Sequence, residues 1–377
     1  MNYSLTTLWH ERPRFIPGIG AVAFSAVLIA LQCGLLWGLF RITSIPIDNS
    51  RADVWVGSPE VLSVDLGRPI NLTFLSRVAG DPRVAEVETY YQAFASWIKP
   101  DGTSELCIVI GTDLNPDNIG SVHELTAEMR DALTEPNSIV IDKAERKRLG
   151  VSGVGDYAEI NRVRVRVVGE TTGLKSLAGP YIFCNRDTAR LLLRNMTPKD
   201  TTTYYLLKCH DPKDAKALAA DLNAEFGERH DMSAYTSRDF SLRSRMHWLF
   251  KTRAGIALGY TALLGLLVGA VVTSQTLYAA TTASAKEYAI LLAMGIPRRK
   301  VTMTVLVQSF WVGLFGVIVA FPIVHGLAEL GKLVDMSIPL PWEILVPAGL
   351  ITMAMAMLAG LIALRSVRRI EPMNLLR

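Results

Sequence analysis

Side chains able to perform catalysis or hold a metal are few in this sequence, and they are scattered. The 377 residues include four cysteines and six histidines. Cys107, Cys184 and Cys209 lie in a polar middle segment and match no zinc-binding spacing. If that segment is exported, these three thiols permit at most one disulfide, and packing is their expected role. The histidines and carboxylates form no triad or paired-carboxylate pattern, so the sequence indicates no catalytic centre and no metal site.

A glycine cluster within residues 149–169 invites comparison with a phosphate-binding loop. The segment reads LGVSGVGDYAEINRVRVRVVG. It lacks the G-x-x-x-x-G-K-[ST] spacing, and no strand-to-helix pattern surrounds it, so nucleotide binding is not indicated. We interpret Gly153, Gly155 and Asp156 as a turn that leads into a strand. In that strand valines alternate with Arg162, Arg164 and Arg166, which predicts a solvated arginine face.

Four apolar runs dominate the rest of the sequence. The chain is 50% hydrophobic yet 20% charged, with a net charge of +4, so apolar and polar stretches must be segregated. The basic residues flank the apolar runs and form no nucleic-acid patch. The first run lacks an Ala-x-Ala-like cleavage site, which favours a membrane span over a signal peptide. Each run is long enough to cross a bilayer: Phe15–Phe40, Ala254–Ala280, Val301–Val324 and Ile344–Leu364.

Basic residues between and after the runs set the orientation. The connector Ser284–Arg299 and the last thirteen residues are basic and are expected in the cytoplasm, together with both termini. No Asp, Glu, Lys or Arg lies near the middle of a run, which argues against an ion-coupled carrier. The predicted fold is a membrane protein with four transmembrane α-helices and one large α+β extracytoplasmic domain inserted between helices 1 and 2.

These features divide the chain into nine segments. The predicted segments are a cytoplasmic N-terminus at 1–14, a first span at 15–40, an extracytoplasmic α+β domain at 41–236, a stalk helix and second span at 237–280, a cytoplasmic connector at 281–300, a third span at 301–325, an outer loop at 326–343, a fourth span at 344–364 and a cytoplasmic tail at 365–377.

The outer domain shows an alternation of short strands and helices. A half-buried strand is predicted at Ala52–Ser58, and Ser121 with Glu124 suggests a capping box that opens a helix over Val122–Leu133. Further strands are predicted at 84–97, 105–111, 138–142, 181–184 and 202–209, and further helices at 187–194 and 212–226.

The segment Ser237–Arg253 has helical spacing and is predicted to continue into the second span as one uninterrupted stalk helix. Its five basic residues conflict with the usual preference of positive charge for the cytoplasmic side. That preference weakens beside long translocated domains, so the conflict does not overturn the topology.

Three segments resemble parts of a known family. The connector carries Lys286 and Glu287 at the start of a helix and Gly295 in a small-residue turn, as in FtsX-like permeases of the MacB type, also called type VII ABC transporters. The tail SVRRIEPMNLLR is similar to their C-terminal segment at Arg368, Arg369, Glu371, Pro372 and Leu375. The segment at 149–169 resembles part of their extracytoplasmic domain. The length also resembles the DevC-like permeases of glycolipid exporters.

The resemblance implies a permease subunit worked by a separate ABC ATPase, since this chain has no Walker motif. ATP and Mg would bind to that partner, and no cofactor is expected in this chain. Other implied partners are a second copy of the permease, membrane lipid, and the periplasmic adaptor and outer-membrane channel that family members often use. The implied location is the bacterial inner membrane. The expected ATPase-coupling residues are Lys286, Glu287, Leu291, Gly295, Arg298, Arg299, Arg368, Arg369, Glu371 and Pro372.

Three alternatives stay open at this point. A lipoprotein-releasing permease would have the same parts. A division-type regulator of a cell-wall hydrolase would usually have an outer domain smaller than the roughly 210 residues expected here. A membrane-bound enzyme or receptor would need a polar cluster in the outer domain, and it would leave the basic connector unexplained.

Overall fold

The computed structural model describes residues 12–115, 117–227, 231–283, 290, 294–332 and 340–368. The chain forms two compact units, one of Met1–Gly38 with Arg253–Arg377 and one of Leu39–Thr252. We call these the membrane unit and the outer unit. The described α-helices, in chain order, are α1 Arg12–Ile42, α2 Ile45–Asp48, α3 Leu75–Ala79, α4 Ala127–Ala132, α5 Arg146–Leu149, α6 Arg186–Leu192, α7 Ala215–Leu222, α8 Ser237–Lys251, α9 Arg253–Ala283, α10 Arg298–Lys332 and α11 Trp342–Arg368.

Four of these helices are long and apolar enough to cross a membrane. The candidate spans are Phe15–Ile42, Arg253–Ala280, Thr302–Gly331 and Trp342–Ile362. The third helix continues to Lys332 with Pro322 inside it, so the first residues of the predicted outer loop are helical. The α+β domain follows the first of these helices in the chain and precedes the second, which confirms the predicted fold class.

Small residues allow close packing in the membrane unit. A Cβ added at Gly316 of α10 would lie 2.6 Å from Val22 Cγ1 of α1. In α1, the Ser25 hydroxyl is hydrogen bonded to Thr273 Oγ1 at 3.0 Å and donates to Gly269 O at 3.1 Å in α9. Without a hydrophobic force between helices in lipid, such contacts supply part of the association energy.

The outer unit is built on a nine-stranded mixed sheet. Six strands close into a ring in the order β3, β4, β8, β5, β7, β6, because β6 pairs again with β3 through Trp97 and Ile160. Strands β10, β1 and β11 extend the sheet from the other side of β3. The strands are β1 Val54–Gly57, β2 Ile70–Asn71, β3 Val84–Ile98, β4 Ser104–Thr112, β5 Ser138–Asp142, β6 Tyr157–Ile160, β7 Val163–Thr171, β8 Tyr181–Asn185, β9 Thr201–Thr202, β10 Tyr204–Cys209 and β11 Ser233–Thr236.

Alternate side chains of these strands contribute to three buried clusters of the outer unit. Every strand of the ring contributes to one buried cluster, in which the Trp97 indole donates to Leu149 O at 2.9 Å. A second cluster gathers aromatic rings, with Trp55 edge-on to Tyr90 and Tyr204 at centroid distances of 5.2 and 5.4 Å. Such aromatic pairs add about 1 kcal/mol each beyond the burial of their area.

Most predicted strands of the outer domain are confirmed, and Ser138–Asp142 is a strand over the predicted range. The predicted hairpin of residues 84–97 and 105–111 is the antiparallel pair β3 and β4. The prediction that the first strand is half-buried is wrong, because all four residues of β1 are buried between β10 and β11.

The helix predicted over Val122–Leu133 is much shorter. It begins after Thr126, whose hydroxyl accepts from Met129 N at 3.3 Å, and it ends at Ala132. Val122 and Leu125 are instead buried in turns of the aromatic core. The Ser121 capping box is therefore wrong, since Thr126 offers a cap and burial holds the preceding residues out of the helix.

A buried carboxylate holds the segment before α4. Glu88 accepts hydrogen bonds from the backbone N–H groups of Asp113 at 2.9 Å, Ile119 at 2.9 Å and Gly120 at 2.8 Å. Burial raises the pKa of Glu88, while these three donors act in the opposite direction. Since backbone groups must be paired when they are buried, Glu88 replaces a strand partner that this loop lacks.

We predict that Glu88→Ala destabilises the outer unit by about 3 kcal/mol, because three backbone donors lose their acceptor. Thermal unfolding of the full chain in detergent measures the change. The control Glu86→Ala removes an exposed carboxylate from the same strand and should leave the midpoint within the error of the parent. Equal midpoints for both variants would contradict the structural role of Glu88.

Candidate coupling site

Of the ten residues expected to contact an ATPase, the structure describes four. Gly295, Arg298, Arg299 and Arg368 belong to the described part of the chain, and Lys286, Glu287, Leu291, Arg369, Glu371 and Pro372 lie outside it. The four described residues stand at the connector end of α10 and at the last residue of α11. Whether all ten come together is therefore still a prediction.

The end of the connector is a tight turn followed by a basic helix start. Gly295 has φ +84°, a left-handed conformation that favours glycine. Helix α10 then begins at Arg298, and the side chain of Arg299 is exposed. Positive charge at a helix N-terminus opposes the helix dipole. The stability of α10 therefore does not explain why arginines stand there.

The outer unit holds together the two ends of its own chain through Asp48. This residue ends α2, directly after the first apolar helix. Its carboxylate accepts from Ser44 Oγ at 2.6 Å, from Ser241 Oγ at 2.7 Å and from Arg245 Nη2 at 2.7 Å. Arg245 Nε also donates to Ser44 Oγ at 2.9 Å. We call these four residues the Asp48 clamp.

A second set of contacts attaches α8 to the segment around the 3₁₀ turn Val64–Leu66. Arg243 Nε donates to Val61 O at 2.7 Å, and its guanidinium lies over the Tyr235 ring at 5.1 Å. The Trp248 indole donates to Ser63 Oγ at 3.0 Å, and Ser244 Oγ accepts from Val64 N at 3.1 Å. Helix α8 is therefore docked on the domain along much of its length.

These contacts explain two of the basic residues in the predicted stalk. Arg243 and Arg245 are bound within the outer unit, so they serve tertiary structure and are not topology signals. The predicted uninterrupted stalk helix is wrong, because α8 stops at Lys251 and Thr252 is extended with φ −98° and ψ 148°. The extended residue separates a helix that belongs to the domain from the helix that begins the second span.

A buried acid lies on the same 3₁₀ turn. Asp65 accepts from Gln92 Nε2 at 2.8 Å and from the Tyr181 hydroxyl at 3.1 Å. Burial raises the pKa of Asp65 to about 7, although these two donors act in the opposite direction. Within the described part of the chain, the Tyr90 hydroxyl has no hydrogen-bond partner. The Asp65 carboxyl group therefore lies in the aromatic core, where its two hydrogen-bond donors only partly offset the cost of burying its charge.

Sequence reasoning overlooked the clamp, although two signals were present. Ser44 and Asp48 stand four residues apart, and Pro46 lies in the first turn, a position typical of a helix start. The arginines of residues 237–253 conflicted with the preference of positive charge for the cytoplasmic side. Such a conflict indicates that these charges have partners within the folded domain. No periodicity connects positions 48 and 245, so their contact needed the folded chain.

Comparison with known families gives two matches. Residues 19–225 match the family model of the MacB-like periplasmic core domain, and residues 260–372 match that of the FtsX-like permease C-terminal. A search of curated proteins finds no significant match.

The solved structures that are similar at low identity include two extracytoplasmic domains of transporters. The periplasmic region of MacB from Actinobacillus actinomycetemcomitans is 11% identical with a TM-score of 0.35, and the alignment covers 52% of this chain and 94% of that one. The extracellular domain of the noncanonic ABC-type transporter YknZ from Gram-positive bacteria is 11% identical with a TM-score of 0.35, covering 48% of this chain and 99% of that one.

We predict that Arg245→Ala lowers the free energy of unfolding of the outer unit by about 2 kcal/mol, because Asp48 loses a charged donor. Asp48→Asn should lower the free energy of unfolding by less, since the amide oxygen of Asn still accepts a hydrogen bond. Denaturant unfolding of the full chain measures both changes, and a double-mutant cycle isolates the coupling between the two residues. The control Arg238→Ala removes an exposed arginine of the same helix. A coupling energy of zero would contradict the clamp.

We also predict a pH dependence from Asp65. Its folded pKa of about 7 lies above the ordinary value of 3.8, so the folded chain holds a proton that the unfolded chain releases between those pH values. This contribution to stability is complete below about pH 4 and is lost as the pH rises through about 7. Asp65→Asn should flatten the stability profile over that window. The control Asp187→Asn, at an exposed carboxylate, should keep the parental slope.

Proposed function

The chain belongs to the FtsX-like permeases that carry a MacB-like periplasmic core domain, and from this premise we propose that it is the exporting permease of an ABC transporter. A separate ATPase hydrolyses ATP with Mg, and this chain holds no cofactor of its own. The observation that carries the proposal is the presence of both family parts in one chain. The core-domain match begins inside the first apolar helix and ends before the second, and the permease match begins inside the second and includes the other two.

The connector and the tail are the proposed contacts for the ATPase. The contacting residues are Lys286, Glu287, Leu291, Gly295, Arg298, Arg299, Arg368, Arg369, Glu371 and Pro372. Arg299 supports this role, because its exposed positive charge in the first turn of α10 opposes the helix dipole and does not stabilise that helix. The proposed orientation places these segments and both termini in the cytoplasm of a bacterium, at its inner membrane.

The Asp48 clamp suggests how movement reaches the outer domain. It joins the segment that follows α1 to the helix that precedes α9. ATP-driven closure of the ATPase would move the membrane helices. Because the clamp joins the segment after α1 to the helix before α9, the outer domain would move with those helices as one body. Transmission of this kind needs a rigid element with two arrangements, and the docked α8 supplies the rigid element.

The proposed assembly contains two identical permease chains and two ATPase chains, with membrane lipid around them. A periplasmic adaptor and an outer-membrane channel are proposed as further partners. The proposed cargo is a lipid, glycolipid, peptide or drug, and the glycolipid-exporter subgroup is one such case. A lipoprotein-releasing permease and an FtsX-like regulator of a cell-wall hydrolase are the competing functions, because both use the same family parts.

The first experiment is purification of the tagged full chain from its native membrane in mild detergent, followed by identification of its partners and an ATPase assay. Copurification of an active ABC ATPase supports the transporter class. An adaptor beside the ATPase favours export, whereas a cell-wall hydrolase favours the regulator. A chain that purifies folded and without any ATPase would overturn the proposal.

We predict that the double variant Glu287→Ala/Arg298→Ala uncouples ATP hydrolysis from export, because it removes two charges from the proposed ATPase contact. ATPase activity of the reconstituted complex should persist while stimulation by the permease and transport both fall at least about tenfold, the loss expected from about 1.4 kcal/mol. The control Glu343→Ala alters an exposed carboxylate at the start of α11. Full coupling in a well-folded double variant would contradict the assignment.

A further inference from the structure

The outer unit contains a polar cavity at one end of the strand ring. Its volume is about 440 Å³, and it opens to solvent. It is lined by β3, by the turn between β6 and β7, and by the residues that follow α6. The lining residues are Ser96, Ile98, Asn161, Arg162, Arg194 and Asn195.

The backbone of the β6–β7 turn holds Arg162 in an unusual conformation. Asn161 and Arg162 form a two-residue turn with φ +48° and +68°. Such turns favour Asn followed by Gly, and an arginine in the second position costs conformational energy. A residue kept in a disfavoured conformation points to a requirement other than stability.

Asn161 fixes the turn against its neighbours. Its Oδ1 accepts from Ser96 N at 3.0 Å, and its Nδ2 donates to Leu192 O at 2.9 Å. The backbone N–H of Asn161 donates to Ser96 O at 3.0 Å. Three hydrogen bonds thus tie the turn to β3 and to the end of α6, which places Arg162 and Arg194 on one cavity. Asn161 is a positioning residue for this site.

The two cavity arginines differ from the arginines around them. Arg164 lies over the Tyr157 ring at 4.2 Å, Arg166 pairs with Glu135 at 3.4 Å, and Arg190 donates to Lys199 O at 3.0 Å. Within the described part of the chain, Arg162 and Arg194 have no carboxylate partner. By strand register Glu159 stands opposite Arg164 and Ile98, and it is not part of the cavity lining.

We propose that this cavity binds a phosphate monoester. Two guanidinium groups supply two positive charges, which match the charge of about −1.5 to −2 on a phosphate monoester at pH 7 better than the single charge of a carboxylate. Guanidinium groups bind phosphate oxygens in pairs, and the hydroxyl of Ser96 and the amide of Asn195 provide further hydrogen-bonding groups. The polar lining excludes an apolar ligand as the natural occupant.

The phosphate can come from a soluble metabolite or from a lipid headgroup, and the experiment separates the two sources. The full chain in phosphatidylcholine nanodiscs is titrated with glycerol 3-phosphate, and it is also titrated with vesicles that contain phosphatidic acid or phosphatidylcholine alone. Saturable binding of glycerol 3-phosphate supports a soluble ligand. Binding only to phosphatidic acid vesicles supports a lipid headgroup. No saturable binding to either probe overturns the proposal.

Variants test whether the cavity is responsible. Arg162→Ala/Arg194→Ala should weaken binding of the active probe at least tenfold, whereas Arg166→Ala, which alters an exposed arginine of β7 outside the cavity, should leave it unchanged. Arg162→Gly is the decisive variant, because glycine is favoured at the second position of this turn. The variant should therefore unfold at a temperature no lower than the parent does. It should nonetheless weaken binding. Parental affinity in both cavity variants overturns the proposal.

Discussion

The outer domain depends on the way in which Asp48 binds α8. A chain that leaves a membrane helix, folds into a domain and returns to a second membrane helix must bring its two ends close together. Here one carboxylate accepts from both ends, with Ser44 on the outgoing side and Ser241 and Arg245 on the returning side. Arg245 and Asp48 keep 29% and 35% of their side chains exposed, so the pair gains charge attraction without the full cost of desolvation.

The same helix connects the clamp to the aromatic core. Phe240 of α8 stacks on Tyr235 at 5.5 Å and lies 5.8 Å from Trp55 of β1. Ser244 and Trp248 bind the 3₁₀ turn that carries the buried Asp65. A displacement of α8 would therefore change the packing of the aromatic core and the surroundings of Asp65. The extended residue Thr252 ends this docked helix before the apolar helix begins.

Much of the fold could be predicted because its signals are local. Span length and apolarity predict the four membrane helices. A short apolar run predicts β5, alternation predicts β7, and two strand patterns separated by a turn predict the β3–β4 hairpin. The alternating arginines of β7 were predicted to be solvated, and Arg164 and Arg166 are exposed. The wrong predictions arose where the burial of side chains overrode the local sequence pattern. Ser121 and Glu124 formed a good capping pattern, yet burial of Val122 and Leu125 moved the helix start to Thr126.

The sequence by itself determined the order of spans and domain, the strands with clear alternation and the family motifs, since each depends on residues close together in the chain. Only the tertiary structure decided that β6 pairs with β3 to close a ring, that Arg245 reaches Asp48, and that Arg162 and Arg194 share a cavity. These contacts join residues separated by tens to hundreds of positions. Their partners are chosen by the packing of the whole sheet, which no local period of two or 3.6 residues encodes.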